Sequence, residues 1–305
     1  MPDSIYHKQA ELLLRVMPTV MQEKIFALKG GTALNFFWRN YPRLSVDIDL
    51  TYMEIKPRNE SLADINTSLK NFEASLKRII QNIQVTSKVD ATNNLTYALI
   101  IRLNEATIKV EVNTIIRGTV YSVVKKDLCA NAEQEFELSV TARTLSFEDL
   151  YGGKICAALD RQHPRDLFDI KLLFENEGLT EGIRKAFIVY LISHSRPIVE
   201  LLNPGLKDIK QQFENEFSGM TLEPVELEEL LSTRDTLINI IKSSLTENEI
   251  NFLLTFKNKN PDWQLLGLKD IENLPAVQWK LLNLKKMKPN KHKQAYNKLE
   301  EYLIS

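Results

Sequence analysis

Apolar residues recur along this chain with two different periods. Near its start, IFALK (Ile25 to Lys29) is a short apolar run stopped by Gly30 and Gly31, which reads as a strand meeting a tight turn. Thr32 is placed to cap the next element, and ALNFFW (33–38) suits a short buried helix. Pro42 in YPRLS pushes the residue before it toward extended geometry, and VDIDLTYM (46–53) then alternates as a strand does. Leu62, Ile65, Leu69, Phe72, Leu76 and Ile79/Ile80 fall at helical spacing. LTYALIIRL (95–103) and TIKVEVNTII (107–116) read as two strands joined by a hairpin-length gap, and QEFELSV (134–140) as an edge strand.

After Thr144 the period becomes helical. SFEDLYGGKICAALD (146–160) opens with Ser146 and has Asp149 three residues on, an acidic variant of the capping box. PRDLFDIKLLFEN (164–176) places Pro164 at the first helical position, with His163 as its cap. Further helical patterns cover about 181–195, 204–217, 224–243, 246–257, 264–272, 275–287 and 291–304. The pattern therefore predicts an α+β protein: an α/β domain with a small mixed sheet over residues 1–143, then a mainly helical domain over 144–305.

Length and composition agree with two folded domains. The 305 residues are 44% hydrophobic and 26% charged, ordinary values for a globular chain of about two domains. The net charge of −1 hides an uneven distribution. Six glutamates and no base lie between Gln211 and Leu230, whereas Lys280 to Lys298 holds seven lysines and no acid. Within that basic stretch Lys285, Lys286, Lys288, Lys291 and Lys293 are candidates for a phosphate backbone, or alternatively form a solvated helix face and tail. Cys129 and Cys156 have neither metal spacing nor the number for a disulfide framework. The N-terminus reads as an amphipathic helix rather than a signal peptide, and no apolar run reaches the roughly 18 residues of a membrane span. The expectation is a cytoplasmic protein without a membrane partner.

Two acids interrupt the strand at 46–53. Residues two apart on a strand share a face, so Asp47 and Asp49 sit side by side while Val46, Ile48 and Leu50 face a core. Neighbouring carboxylates raise each other's pKa unless a cation intervenes. A hard divalent ion such as Mg²⁺ suits them; so would turn-capping, or pairing with Arg39 and Arg43. Glu111, on an apolar strand with Lys109 and Asn113 on its face, either completes a carboxylate triad or faces solvent. In the helical half, Lys154 lies four residues after Leu150 and seven after Phe147, beside an otherwise buried stripe. Gly152 and Gly153 each cost about 1 kcal/mol against alanine inside a helix, which implies close backbone approach. Asp166 is positioned to complement a helix dipole, a role that does not explain Asp169 beside Ile170 and Leu173.

The order KGG, then RLSVDIDL, then an acid on a later strand resembles the nucleotidyltransferase superfamily with the polymerase-β-like fold. LSFEDLYGGKICAALDRQHPRDLFDIKLL resembles the segment of the AbiEii/AbiGii-type toxin nucleotidyltransferases that carries a lysine and then R-D-x-x-D. Together the two segments span about Leu28 to Leu173. The resemblance implies that Gly30, Gly31 and Thr32 form a turn for nucleotide phosphates, and that Arg43 and Ser45 are the R-x-S preceding the metal-binding aspartates. It implies metal binding by Asp47 and Asp49, with Glu111 as the third carboxylate by position. Lys154 would meet the triphosphate, and Asp166 and Asp169 would be the acids of R-D-x-x-D. One departure stands out: fifteen residues, Thr32 to Val46, separate Gly31 from Asp47, more than the superfamily usually has.

The resemblance further implies a nucleotidyltransferase that uses Mg²⁺ or Mn²⁺ to transfer a nucleoside monophosphate from a nucleoside triphosphate to a hydroxyl, releasing pyrophosphate. It also implies a toxin of a toxin–antitoxin or phage-defence pair, with a cognate antitoxin and a tRNA 3′ end as acceptor. Two other readings fit the same residues: a nucleotidyltransferase acting on an antibiotic or metabolite, and an inactive nucleotide- or protein-binding module of the same fold.

Overall fold

The computed structural model describes residues 4–304. Helix α1 (Ile5–Val20) begins at Ser4, whose side chain accepts the His7 N–H. Its Leu12, Leu13, Leu14, Val16 and Met17 are buried, and α1 packs on the sheet and on α3 (Arg58–Ile79). The seven strands are β1 (Phe26–Lys29), β2 (Asp47–Tyr52), β3 (Gln84–Val89), β4 (Thr96–Leu103), β5 (Ala106–Asn113), β6 (Val124–Asp127) and β7 (Thr141–Thr144). They form one mixed sheet in the order β3-β4-β5-β2-β1-β7-β6. β2 runs antiparallel to β1 and parallel to β5, so it lies mid-sheet. Alternation does the sorting on β5: Ala106, Ile108, Val110 and Val112 are buried, while Thr107, Lys109, Glu111 and Asn113 are partly exposed.

Between β1 and β2 the chain makes a helical turn, α2 (Gly30–Ala33), which widens into a π-helical segment, Leu34–Trp38. Arg39 N–H reaches Leu34 O at 2.7 Å, the five-residue bond that defines that wider turn. Thr32 does not cap this helix, because the turn already starts at Gly30. Its hydroxyl, buried, lies 2.8 Å from Ser45 Oγ and 2.6 Å from Asp47 O. The approach to β2 is pinned by a segment far away in sequence. Leu44 N–H donates to Met220 O at 2.8 Å and Leu222 N–H to Pro42 O at 3.0 Å.

That pairing makes Gly219–Pro224 part of the first unit, together with the chain up to Leu150; Tyr151–Ser218 and the chain from Val225 form the second. The boundary falls inside α5 (Phe147–Arg161) rather than in a linker. At the start of α5, Ser146 Oγ accepts the Asp149 N–H, and Asp149 in turn accepts the N–H groups of Val120 (3.2 Å) and Tyr121 (2.8 Å). The second unit continues with α6 (Pro164–Asn176), α7 (Glu181–Ser193), α8 (Ile198–Leu202), α9 (Lys210–Glu216), α10 (Leu227–Ser244), α11 (Glu247–Lys257), α12 (Pro275–Lys286) and α13 (Pro289–Ile304). His163 caps α6 as expected, its ring accepting the Arg165 N–H at 3.1 Å.

Three expected elements differ. Residues 134–136 belong to a helix, α4 (Ala130–Phe136), because Ala132 and Phe136, one turn apart, are both buried; Glu137 at φ 51° ends it. In place of a helix over 264–272 there are two 3₁₀ turns, Trp263–Leu265 and Ile271–Asn273, separated by left-handed Gly267 and Asp270. The helix expected from 204 starts only at Lys210, since Gln162 binds Gly205 O and Lys207 N–H and holds that stretch open. β3, β6 and β7 carry no clear apolar alternation; β3 and β6 are edge strands with mostly exposed or half-exposed residues.

Close approach at the glycine pair is one-sided. A Cβ on Gly152 would lie 2.8 Å from the backbone and Cβ of Ala186 on α7, whereas one on Gly153 would only touch the Tyr190 ring at 3.4 Å. Gly152→Ala is therefore expected to lose about 1–3 kcal/mol through overpacking, while Gly153→Ala is neutral or gains up to about 1 kcal/mol of helix propensity. Urea unfolding of both variants checks the contrast.

Candidate active site

β2 presents Asp47 and Asp49 on one face and buries Ile48 and Leu50 completely on the other. Strand register then brings charged groups from both neighbours onto the same face. Asp49 stands opposite Lys29 on β1 and opposite Glu111 on β5, and Asp47 opposite Lys109. On β4, Ala98 and Ile100 lie opposite Glu111 and Lys109. The result is a row Lys29–Asp49–Glu111–Ala98 beside a row Asp47–Lys109–Ile100. Sequence alternation alone puts Asp47 with Asp49, and Lys109 with Glu111. Joining the pairs takes the parallel β2–β5 pairing, and Lys29 becomes a neighbour only through the β1 register.

Lys109 Nζ donates to Glu111 Oε2, both side chains being about two-fifths exposed. Partial burial works against the Lys109 ammonium, but Glu111, Asp47 and Asp49 outweigh it and hold its pKa above the ordinary lysine value. Among the described residues no three His, Cys, Asp or Glu side chains are gathered tightly enough to hold an ion as they stand.

The glycine turn sits against this face. Gly30 has φ +73°, and a Cβ there would lie 2.9 Å from Asp49 Oδ2. A Cβ on Gly31 would lie 2.7 Å from Arg43 Nη2 and 3.2 Å from Ser45 Oγ. Gly30 is favoured by its left-handed backbone, and a Cβ on either glycine would push against the tip of a neighbouring side chain, Asp49 or Arg43. Arg43 and Ser45 are buried beneath the turn, where Arg43 Nη1 donates to Leu44 O at 2.8 Å. The long connection between Gly31 and Asp47 does not separate the turn from the aspartates, because the π-helical widening and the Met220 and Leu222 hydrogen bonds take up its extra length.

In the second unit, Lys154, Asp166 and Asp169 form a buried ionic cluster. Lys154 Nζ is 2.9 Å from Asp166 Oδ1 and 2.9 Å from Asp169 Oδ2, and all three side chains are at most 6% exposed. Arg161 adds a bidentate contact to Asp166. Burial alone would raise the Asp166 pKa; Lys154 and Arg161 outweigh it and push the carboxyl far below its usual range. The cluster ties α5 to α6. Of the basic stretch, Lys280 is buried and donates to the carbonyls of His194 and Arg196 at 2.6 Å, with burial lowering its pKa to about 8. Lys285, Lys286, Lys288, Lys291 and Lys293 are all exposed. No helix among the described residues is long and apolar enough to cross a membrane.

The model of a nucleotidyl transferase family, the AbiEii toxin of type IV toxin–antitoxin systems, matches residues 11–281. The chain belongs to the AbiEii family. It is accordingly a nucleotidyltransferase toxin of the type IV class. Among solved structures it is similar to MenT4, a nucleotidyltransferase toxin from Mycobacterium tuberculosis H37Rv, with TM-score 0.60 at 12% identity over 92% of this chain and 93% of that one. This likeness supports the nucleotidyltransferase-like fold. No curated protein sequence matches the chain.

Two variants separate the two clusters. Gly30→Ala, strained by about 1 kcal/mol at positive φ and crowding Asp49, is expected to lose nucleotidyl transfer while staying folded, checked by activity against melting temperature. Lys154→Met leaves buried carboxylates unpaired and is expected to lose about 3–5 kcal/mol in urea unfolding. Because the folded pKa of Asp166 lies below its ordinary 3.8, its contribution is complete above that pH and lost as pH falls further. Asp166→Asn should therefore flatten the fall in stability below about pH 4, read from urea midpoints between pH 3 and 7.

Proposed function

We propose that this AbiEii-family chain transfers a nucleoside monophosphate from a nucleoside triphosphate to a hydroxyl at the 3′ end of a tRNA, in the cytoplasm, as the toxin of a pair with a cognate antitoxin and with a role in phage defence. The observation that carries the reading is Asp49, set between the Gly30 turn and Glu111 in one row across the sheet. Asp47, Asp49 and Glu111 supply hard carboxylate oxygens, the donor set that Mg²⁺ or Mn²⁺ prefers. When bound, such an ion neutralises phosphate charge and orients the reacting oxygens.

The residues of the chain divide the work. Gly30 and Gly31, without side chains, let the turn approach the phosphates. Thr32, Arg43 and Ser45 hold that turn against β2 from below. Asp47 and Asp49 bind the cation, and Glu111 joins them as the third carboxylate. The acceptor oxygen forms a bond to the α-phosphorus as the bond to pyrophosphate breaks, and its proton passes to a base or to water. Lys154, Asp166 and Asp169 enter the reading as a charge-balanced cluster that fixes α5 on α6. A phosphate reaching Lys154 has first to displace a carboxylate. Exposed Lys285, Lys286, Lys288, Lys291 and Lys293 offer five positive charges to an RNA backbone.

The test is to incubate the protein with Mg²⁺, each α-labelled nucleoside triphosphate in turn and total RNA, beside the Asp47→Asn/Asp49→Asn variant. Label is expected on RNA in the tRNA size range, reduced at least about a hundredfold in the variant, as for loss of several kcal/mol of transition-state stabilisation. Equal labelling by both proteins would overturn the assignment of the aspartates. Label on a small molecule and never on RNA would replace the acceptor.

A further inference from the structure

On the polar face of the sheet, the parallel register sets Asp47 beside Lys109 and Asp49 beside Glu111. Lys109 and Glu111, two apart on β5, share this face and are hydrogen-bonded. An exposed ion pair among neutral neighbours adds little to stability and needs no further account. Here the β2 neighbours are both carboxylates, and the ammonium feels Glu111, Asp47 and Asp49 together. Lys29, beside Asp49 on β1, is a second cation on the face, with Lys88 on β3 opposite Ala98 and Arg102 on β4 opposite Thr107 farther out. The β4 residues directly opposite Glu111 and Lys109, Ala98 and Ile100, are uncharged.

We propose that Lys109 is a resident cation of the site, holding Glu111 before a divalent ion arrives and competing with that ion for the carboxylate. The inference rests on the metal-binding reading of Asp47, Asp49 and Glu111. Three carboxylates side by side repel one another, and an ammonium on a flexible four-carbon stem lowers that repulsion without closing the site. The side chain of Lys109 is 40% exposed, so it can turn into water when a doubly charged ion takes its place. On the β4 side of Glu111 stands buried Ala98, whose side chain ends at Cβ and carries no charge to compete with Lys109. Lys109 is in this sense a positioning residue. It sets where Glu111 points and how tightly the site takes up metal.

Mn²⁺ titration of the full chain, following free Mn²⁺ by electron paramagnetic resonance, tests this directly. Lys109→Met and Lys109→Gln remove the competing charge and are expected to bind Mn²⁺ about fivefold more tightly than the parent protein. Lys109→Arg keeps the charge and should stay within about twofold. Two neutral variants at this half-exposed position guard against a packing defect, and melting temperature confirms that each is folded. Unchanged or weaker Mn²⁺ binding in both neutral variants, with parent binding that needs Asp47 and Asp49, overturns the role of Lys109 and leaves the metal reading standing. A parent protein that binds no Mn²⁺, or binds it equally after Asp47→Asn/Asp49→Asn, overturns both.

Discussion

Like charges held side by side on a sheet are the constraint around which the first unit is organised. Asp47 and Asp49 share a face because a strand repeats every two residues, and Glu111 joins them because β5 runs parallel to β2 in a register that opposes it to Asp49. Their repulsion cannot be relieved by turning inward, where Ile48, Leu50, Val110 and Val112 are fully or almost fully buried. It is met on the same face by Lys29 and Lys109. The core on one side of the sheet thus fixes the electrostatics on the other.

That arrangement depends on bringing β1, the glycine turn and β2 together despite a long connection. The turn packs against Asp49 with Gly30 in a left-handed backbone that favours glycine, its Cα side facing the carboxylate. The connection is then spent in a π-helical widening, a buried Arg43 and two hydrogen bonds to Met220 and Leu222. A segment lying between helices of the second unit in sequence thereby becomes part of the support of the first unit's central strand.

The second unit handles charge in the opposite way. Lys154, Asp166 and Asp169 are buried and paired at 2.9 Å, with Arg161 closing the cluster at the surface. Buried charges persist only when matched, so these residues form a fixed joint between two helices. The carboxylates on the sheet keep partial exposure and a movable cation, which suits groups that exchange partners.

Much of this was legible in the order of residues. Alternation in VDIDL and IKVEV assigned the faces of β2 and β5, helical spacing located α3, α5 to α7 and α10 to α13, and the motifs pointed to the nucleotidyltransferase family. His163 and Ser146 announced their helix starts because capping is local chemistry. Lys109 was visible on the face of Glu111, but its importance was not, since nothing local says which strand lies next to β5. The same limit hid the pairing of residues 42–44 with 220–222, the Lys154 cluster and the edge strands β3 and β6, whose mostly exposed residues carry weak apolar periodicity. Local period and capping are written in neighbouring residues, so the sequence by itself determined the elements, their faces and the candidate acids. Register and long-range pairing depend on which surfaces pack together, so only the tertiary structure decided which charges meet.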